Sequence, residues 1–301
     1  MTAHNGGYLY GEEVGPREFT LSCYFEDLRT EEIEAAVGWF YRGRTGELVF
    51  DDRPFVVYTA TVSSAVEGTL YNGKDATLTI KMMAYDPFGK MTKKELDGID
   101  EDGSTLYSGI VSKESMPTPP TAPGDYLLYN PGTEMADTVI TIAGTAPNGV
   151  IIENRTTGDI CRLLSIPSSP DSIVIDSGTG DIYLGSDPDG HCFEAHDEGY
   201  IRLAPCTPYQ RRVLVQHTEG SNYVSVSSGY VTKGMIGQYL LLSSTWYRII
   251  SVSGYNTLVL DRNISTTGSD LCMIATMNEI TITAEGAEFT TLDITYTPRI
   301  R

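Results

Sequence analysis

The sequence predicts a mainly β protein with a single α-helix. Thr, Ser, Tyr, Val and Ile are abundant and 30 of the 301 residues are glycine, a composition suited to short strands joined by many turns. Apolar and polar residues alternate in stretches such as Phe19–Phe25 and Ala76–Tyr85, the period of half-buried strands. Only the segment after Thr30 repeats its apolar residues at helical spacing.

Taken in order, Phe19, Leu21, Cys23 and Phe25 alternate with Thr20, Ser22 and Tyr24 and predict a strand. Thr30 reads as the cap of a helix whose first turn carries Glu31 and Glu32. Ile33, Ala36, Val37 and Phe40 fall on one face of that helix, and Gly43, between Arg42 and Arg44, supplies its stop. Leu48-Val49-Phe50 leads through a turn at Asp51-Asp52-Arg53-Pro54 into a strand from Phe55 to Val62. The strand Ala76–Tyr85 ends before Pro87. Residues 93–104 hold five acids and little apolar material, and read as a solvated arm. The Pro-rich run that follows reads as a stiff linker over 116–125, closing an N-terminal domain of residues 1–115 that is expected to be a β-sandwich with one α-helix.

Beyond the linker, strand signals fall at Val139–Ala143, Val150–Asn154, Ile160–Leu164, Ser172–Asp176, Asp181–Leu184 and Tyr200–Leu203, and predict a β-sandwich. A closing hairpin is read at Asn278–Ala284 and Thr291–Arg299. Residues 207–277 differ in charge from the rest. They carry 5 basic and 3 acidic residues, net +2, whereas the remainder carries 16 and 37, net −21. This segment has its own strand signals (Arg211–His217, Tyr223–Ser227, Gln238–Leu242, Trp246–Val252, Thr257–Leu260, Leu271–Thr276) and reads as a small β domain inserted into a sandwich made of 126–206 plus 278–301.

A formal charge of −19 argues against binding nucleic acid by phosphate neutralisation. No apolar run is long enough to span a membrane, and the N-terminal residues read as no secretory signal. The five cysteines (Cys23, Cys161, Cys192, Cys206, Cys272) include no Cys-x-x-Cys pair and read as reduced, mostly buried thiols.

Chemistry-bearing patterns are weak throughout. Gly68-Thr69-Leu70-Tyr71-Asn72-Gly73-Lys74-Asp75 nearly spells a phosphate loop, but Asp75 stands where a magnesium-binding hydroxyl is needed, so a hairpin loop is expected. His191, Cys192 and His196, with Cys206 beyond, lack a zinc-ligand pattern. Asp97, Asp100, Glu101 and Asp102 miss the calcium-loop order, and Asp176 with Asp181 reads as a hairpin turn. No nucleophile elbow occurs and no carboxylate pair is singled out, so no enzyme, cofactor or metal is expected. Trp246, Tyr247, Tyr239, Tyr255 and Tyr230 cluster in the insert, as carbohydrate or partner contacts or as packing. Trp246 and Tyr247 are adjacent in a strand and face opposite ways, so at most one is core and the other is exposed or in a contact.

The words Gly15-Pro16-Arg17-Glu18, Glu47-Leu48-Val49-Phe50-Asp51-Asp52, Val57-Tyr58 and Tyr85-Asp86-Pro87-Phe88, in this order, resemble the N-terminal domain of siphophage distal tail proteins. Asn130-Pro131-Gly132, Ile152-Glu153-Asn154 with Thr157-Gly158, Ile175-Asp176 and Arg202-Leu203-Ala204-Pro205 resemble that family's C-terminal, galectin-like domain. The resemblance implies a structural phage protein, a homohexameric ring at the tail tip joining the tail tube to the baseplate or receptor-binding apparatus. Its implied partners are tail tube, tape-measure or tail-tip, and receptor-binding proteins. Its implied location is the virion tail tip, with assembly in host cytoplasm. The alternative is a tail-borne adhesin that binds host-surface glycan through 207–277. Only sixteen residues precede Arg17, where the family carries a few dozen more. A trimmed ring domain, a strand supplied from elsewhere or an upstream start is therefore expected.

Overall fold

The computed structural model describes residues 14–27, 29–40, 45–64, 67–71, 75–91, 123–164, 166–185, 196–206, 208–227, 231–242 and 245–301. The acidic stretch 93–104, most of the expected linker, Gly43 with its flanking arginines, and Tyr230 lie outside them. Among the described residues the chain is mainly β with one α-helix, and it divides into two compact units, 1–90 with Arg301 and 91–300.

The first unit runs β1 (Arg17–Phe25), α1 (Thr30–Phe40), β2 (Gly46–Phe50), β3 (Arg53–Val62), β4 (Glu67–Tyr71), β5 (Asp75–Ala84) and β6 (Gly89–Met91). The sheet order is β1-β5-β3-β6, with β2 beside β3 and β4 beside β5. β1 pairs antiparallel with β5 over its whole length, from Arg17 opposite Ala84 to Phe25 opposite Ala76. Alternation sets its faces: Phe19, Leu21, Cys23 and Phe25 are half-buried, and the residues between them are exposed. Phe19 packs edge-on against Tyr58 at 4.9 Å, and the Arg17 guanidinium lies 5.1 Å from the same Tyr58 ring. Gly89 allows this packing, since a Cβ there would meet Val56 Cγ1 at 2.3 Å.

The four residues of the expected helix face, Ile33, Ala36, Val37 and Phe40, are the half-buried ones of α1, and their neighbours are exposed. The cap differs from the expectation by one residue. Thr30 is already helical, the Arg29 carbonyl accepts from Ile33 N–H, and the Glu32 carboxylate accepts from Arg29 N–H at 2.9 Å. The turn before β3 is also shorter than read. Arg53 already pairs with Phe50, and Pro54 sits where the register slips, the position in which a strand tolerates proline. The phosphate-loop lookalike is a hairpin: Glu67–Tyr71 form β4 and pair with β5, Thr69 opposite Thr77.

The second unit contains β7 (Gly124–Leu128), β8 (Ala136–Ala146), β9 (Val150–Asn154), β10 (Asp159–Leu163), β11 (Ile166–Asp176), β12 (Asp181–Leu184), β13 (His196–Glu198) and β14 (Arg202–Leu203). Next come β15 (Pro208–His217), β16 (Tyr223–Val226), β17 (Tyr239–Leu242), β18 (Thr245–Ser253), β19 (Thr257–Leu260) and β20 (Gly268–Ala275). β21 (Asn278–Thr283), β22 (Glu288–Tyr296) and β23 (Arg299–Ile300) finish the chain. β7 overlaps the expected linker, because Gly124 and Asp125 already pair with Ile282 and Thr281.

Two sheets form a sandwich, β13-β10-β9-β21-β7 facing β12-β11-β8-β14 with β22 beside β8. Ile140, Ile142, Ile152, Ile175, Ile182, Leu292 and Ile294 fill the space between. The returning hairpin gives a strand to each sheet: β21 lies between β9 and β7, and β22 lies along β8. At Gly144 (φ 117°) the register of β22 on β8 slips, and a Cβ there would lie 2.2 Å from the Glu288 carbonyl oxygen. The sandwich is therefore incomplete until the chain returns from residues 207–277.

Within that excursion β15-β16-β19-β18-β17-β20 close into a barrel. Its interior holds Val213, Val215, Val224, Leu240, Tyr247, Ile249, Leu258 and Ile274. Register slips in β15 and β18 mark bends that help a short sheet close.

Candidate functional site

The barrel joins the sandwich through two features, an apolar face and a collar of asparagines. β17 reads Tyr239-Leu240-Leu241-Leu242, and all four residues are buried. Leu240 and Leu242 point into the barrel, whereas Tyr239 and Leu241 point outward into a second cluster with Tyr129, Cys206, Trp246, Met273, Ala275 and Met277. The outward residues are in register: Leu241 lies opposite Trp246 on one side and Met273 on the other. Three adjacent strands are thus apolar on both faces, and their outer face packs on the sandwich. The Trp246 indole stacks on Tyr129 at 5.9 Å, and Tyr239 Oη donates to Glu279 Oε1 at 2.7 Å. Burial, with that bond to Glu279, pushes the Tyr239 hydroxyl above its ordinary range.

Of the readings open for the aromatic cluster, the surroundings of three of its members match packing. Tyr247 is 3% exposed inside the barrel, and Trp246 and Tyr239 are 9% and 7% exposed in the junction. Only Tyr255, at 95%, keeps a free ring among these four. Adjacent strand residues do face opposite ways, but both sides of β18 are covered at this point.

The collar surrounds the points where the chain leaves and re-enters the sandwich. Asn130, Asn154 and Asn278 are fully buried. Asn278 Oδ1 accepts from Ala204 N–H (2.8 Å) and from Asn154 Nδ2 (3.1 Å), and its Nδ2 donates to the Ala204 carbonyl (2.9 Å). Asn154 Nδ2 also donates to the Arg202 carbonyl at 2.7 Å. Asn130 Nδ2 donates to Leu203 and Glu134 carbonyls, both at 3.0 Å, and its backbone exchanges bonds with Cys206. An amide side chain supplies both donors and an acceptor, so the three asparagines together hold the short β14 and the backbone that follows it. Gly132 completes the collar, since a Cβ there would come within 2.5 Å of the Arg299 carbonyl oxygen.

These positions are the words of the sequence. Asn130 and Gly132, Asn154, and Arg202-Leu203-Ala204 are far apart along the chain and meet around one point. Asn278, which the sequence shows only as the first residue of a hairpin, ties them together. Its only sequence signal is an asparagine opening an otherwise β-branched run.

The other candidates are engaged elsewhere. His196 Nε2 lies 2.7 Å from the Gly199 carbonyl oxygen, and Cys206 is in the collar; His191 and Cys192 lie outside the described residues. Asp176 Oδ1 accepts from Gly178 and Thr179 N–H and caps its turn. Among the described residues no group of three or more His, Cys, Asp or Glu side chains is gathered as for a metal ion.

Burial pushes the Cys161 and Cys272 thiols up to about 12, and Cys206 up to about 11. A raised folded value means that the unfolded chain loses its proton first. Stability contributed this way is complete below the ordinary thiol value of 9.0 and is lost as pH rises through the folded values. We therefore expect denaturation midpoints to fall above about pH 9, with a shallower fall in Cys161→Ala. A midpoint that stays level to pH 11 in the wild type would contradict this assignment of the thiols.

Fold and junction define a two-unit β protein whose second unit is a sandwich with a barrel set into it. No protein-family model matches the chain, and no curated protein matches it. Among solved structures it is similar to the crystal structure of SPP1 Dit (gp 19.1), described as a paradigm of hub adsorption apparatus in phages infecting Gram-positive hosts. The TM-score is 0.44 at 10% identity, over 93% of this chain and 85% of that one.

Proposed function

We propose that this chain is a structural component of a phage tail tip, a ring-forming protein that joins the tail tube to the baseplate or receptor-binding apparatus. The observation that carries this reading is the collar. The second-unit words behind the resemblance to distal tail proteins include the residues that hold the sandwich together where the barrel leaves it. A chance likeness of surface loops has no reason to select such positions.

Ring formation has its own support in the first unit. β1 ends the sheet and, among the described residues, has no strand on its outer side. A nine-residue open edge is a pairing hazard unless something covers it, and a closed ring of like subunits covers every copy. Tyr24 and Trp39 are exposed in the same unit, at 61% and 68%, and suit subunit contacts. In this reading the first unit builds the ring and contacts the tail tube, while the sandwich and barrel carry neighbouring tip proteins. The particle location is the virion tail tip, reached after assembly in the host cytoplasm.

Native mass spectrometry and negative-stain imaging of the full chain test the reading. The expected result is a closed ring, six subunits by the resemblance, and labelling at the virion tip. A protein that stays monomeric at high concentration and is missing from the tip would overturn it. Glycan binding by 207–277 is a second reading. With Trp246, Tyr247 and Tyr239 buried, it has to rest on another face of the barrel.

A further inference from the structure

The far side of the barrel carries a row of a different kind. Thr257 on β19 lies opposite Ser225 on β16, Ser225 opposite Gln216 on β15, and Gln216 opposite Ser269 on β20. Four neighbouring strands thus present hydroxyl or amide side chains at one level. Their flanking residues Val215, Val224, Val226 and Leu258 are buried, so alternation turns the row outward.

A shallow, open cleft of about 650 Å³ lies over this row. Tyr223, two residues before Ser225 and on the same face of β16, lines it and is 55% exposed. Asn256 Nδ2 bonds Ser225 Oγ at 3.4 Å. The buried His217 beneath is held at Nδ1 by the Thr266 carbonyl (2.9 Å) and at Nε2 by Asp270 (3.1 Å). Gly268 lies against that buried ring, and a Cβ there would press on His217 Nε2 at 3.3 Å.

We propose that this cleft binds a neutral saccharide. None of its lining residues is Lys, Arg, Asp or Glu. A phosphate or nucleic acid calls for cationic groups, and an apolar ligand calls for an apolar lining. A sugar presents hydroxyls that exchange hydrogen bonds with the Ser, Thr and Gln side chains, and a C–H face that lies against the Tyr223 ring. The site rests on the second reading, glycan binding by 207–277, and not on the ring, so its test is separate from that of ring assembly.

The full-length protein is applied to an array of neutral oligosaccharides (N-acetylglucosamine tetramer, maltotetraose, β-1,4-galactotetraose), with heparin as the anionic arm. The affinity for any hit is then measured by titration calorimetry. The expected result is binding to a neutral arm that changes little with salt. Tyr223→Ala and Gln216→Ala each weaken it by about tenfold, and Tyr255→Ala leaves it unchanged. All three side chains are exposed, and circular dichroism confirms that the variants are folded. The proposal is overturned by any of three outcomes: no neutral arm binds at about 10 mM sugar, only heparin binds, or neither Tyr223→Ala nor Gln216→Ala weakens the hit.

Discussion

Asn278→Ala is expected to lower the unfolding free energy of the second unit by about 3–5 kcal/mol, because it strands several buried polar groups at about 1–3 kcal/mol each. The lost amide leaves the Ala204 N–H without its partner and its carbonyl with only the long bond from Cys206 Sγ (3.8 Å), and Asn154 Nδ2 loses one acceptor. Asn278 and Asn154 are fully buried and Ala204 is half-buried, so water replaces only part of the lost bonding. Urea denaturation measures the change, and hydrogen exchange at residues 202–206 locates it. Asn278→Asp is expected to do no better, since a carboxylate keeps the acceptor, loses both donors and adds a buried charge. A change below about 1 kcal/mol would mean that the collar is incidental to the fold.

Trp246→Ala is expected to cost about 3–5 kcal/mol, the range for removing a large buried aromatic. It empties the space stacked on Tyr129 and beside Leu241, while Tyr247 and the barrel interior keep their neighbours. The effect should therefore appear at the junction rather than inside the barrel. Limited proteolysis should cut faster near residues 207 and 277, and hydrogen exchange in β19 should change little. Equal loosening throughout β15 to β20 would show instead that the barrel depends on the sandwich for its own fold.

Much of the fold was legible because its signals are local. The helix face Ile33, Ala36, Val37 and Phe40 follows from spacing alone, and Val150–Asn154, Asp181–Leu184 and Thr257–Leu260 stand as strands with the bounds the pattern suggests. β7 was hidden because Gly124 and Asp125 close a Pro-rich run and owe their strand conformation to partners more than 150 residues away. β4 was hidden because Gly68-Thr69-Leu70-Tyr71 reads as a loop until β5 lies beside it. β13 was missed as well, being three residues paired at the edge of a sheet.

The collar was half legible. Asn130, Asn154 and Arg202-Leu203-Ala204 stood out as words, but nothing in their spacing says that they touch. Asn278 did not stand out at all. A buried asparagine has no periodic signature, because its partners are backbone groups brought together only by the fold.

The sequence by itself determined which residues share a strand face and that the chain is mainly β with one helix, since alternation and helical spacing act over a few neighbouring residues. Tertiary structure alone decided what each face meets. The rows Trp246–Leu241–Met273 and Thr257–Ser225–Gln216–Ser269 both lie on the outside of the same barrel. One row is covered by the sandwich and the other is open in a cleft, and the difference comes from barrel closure and the return of β21, which join residues far apart in the chain.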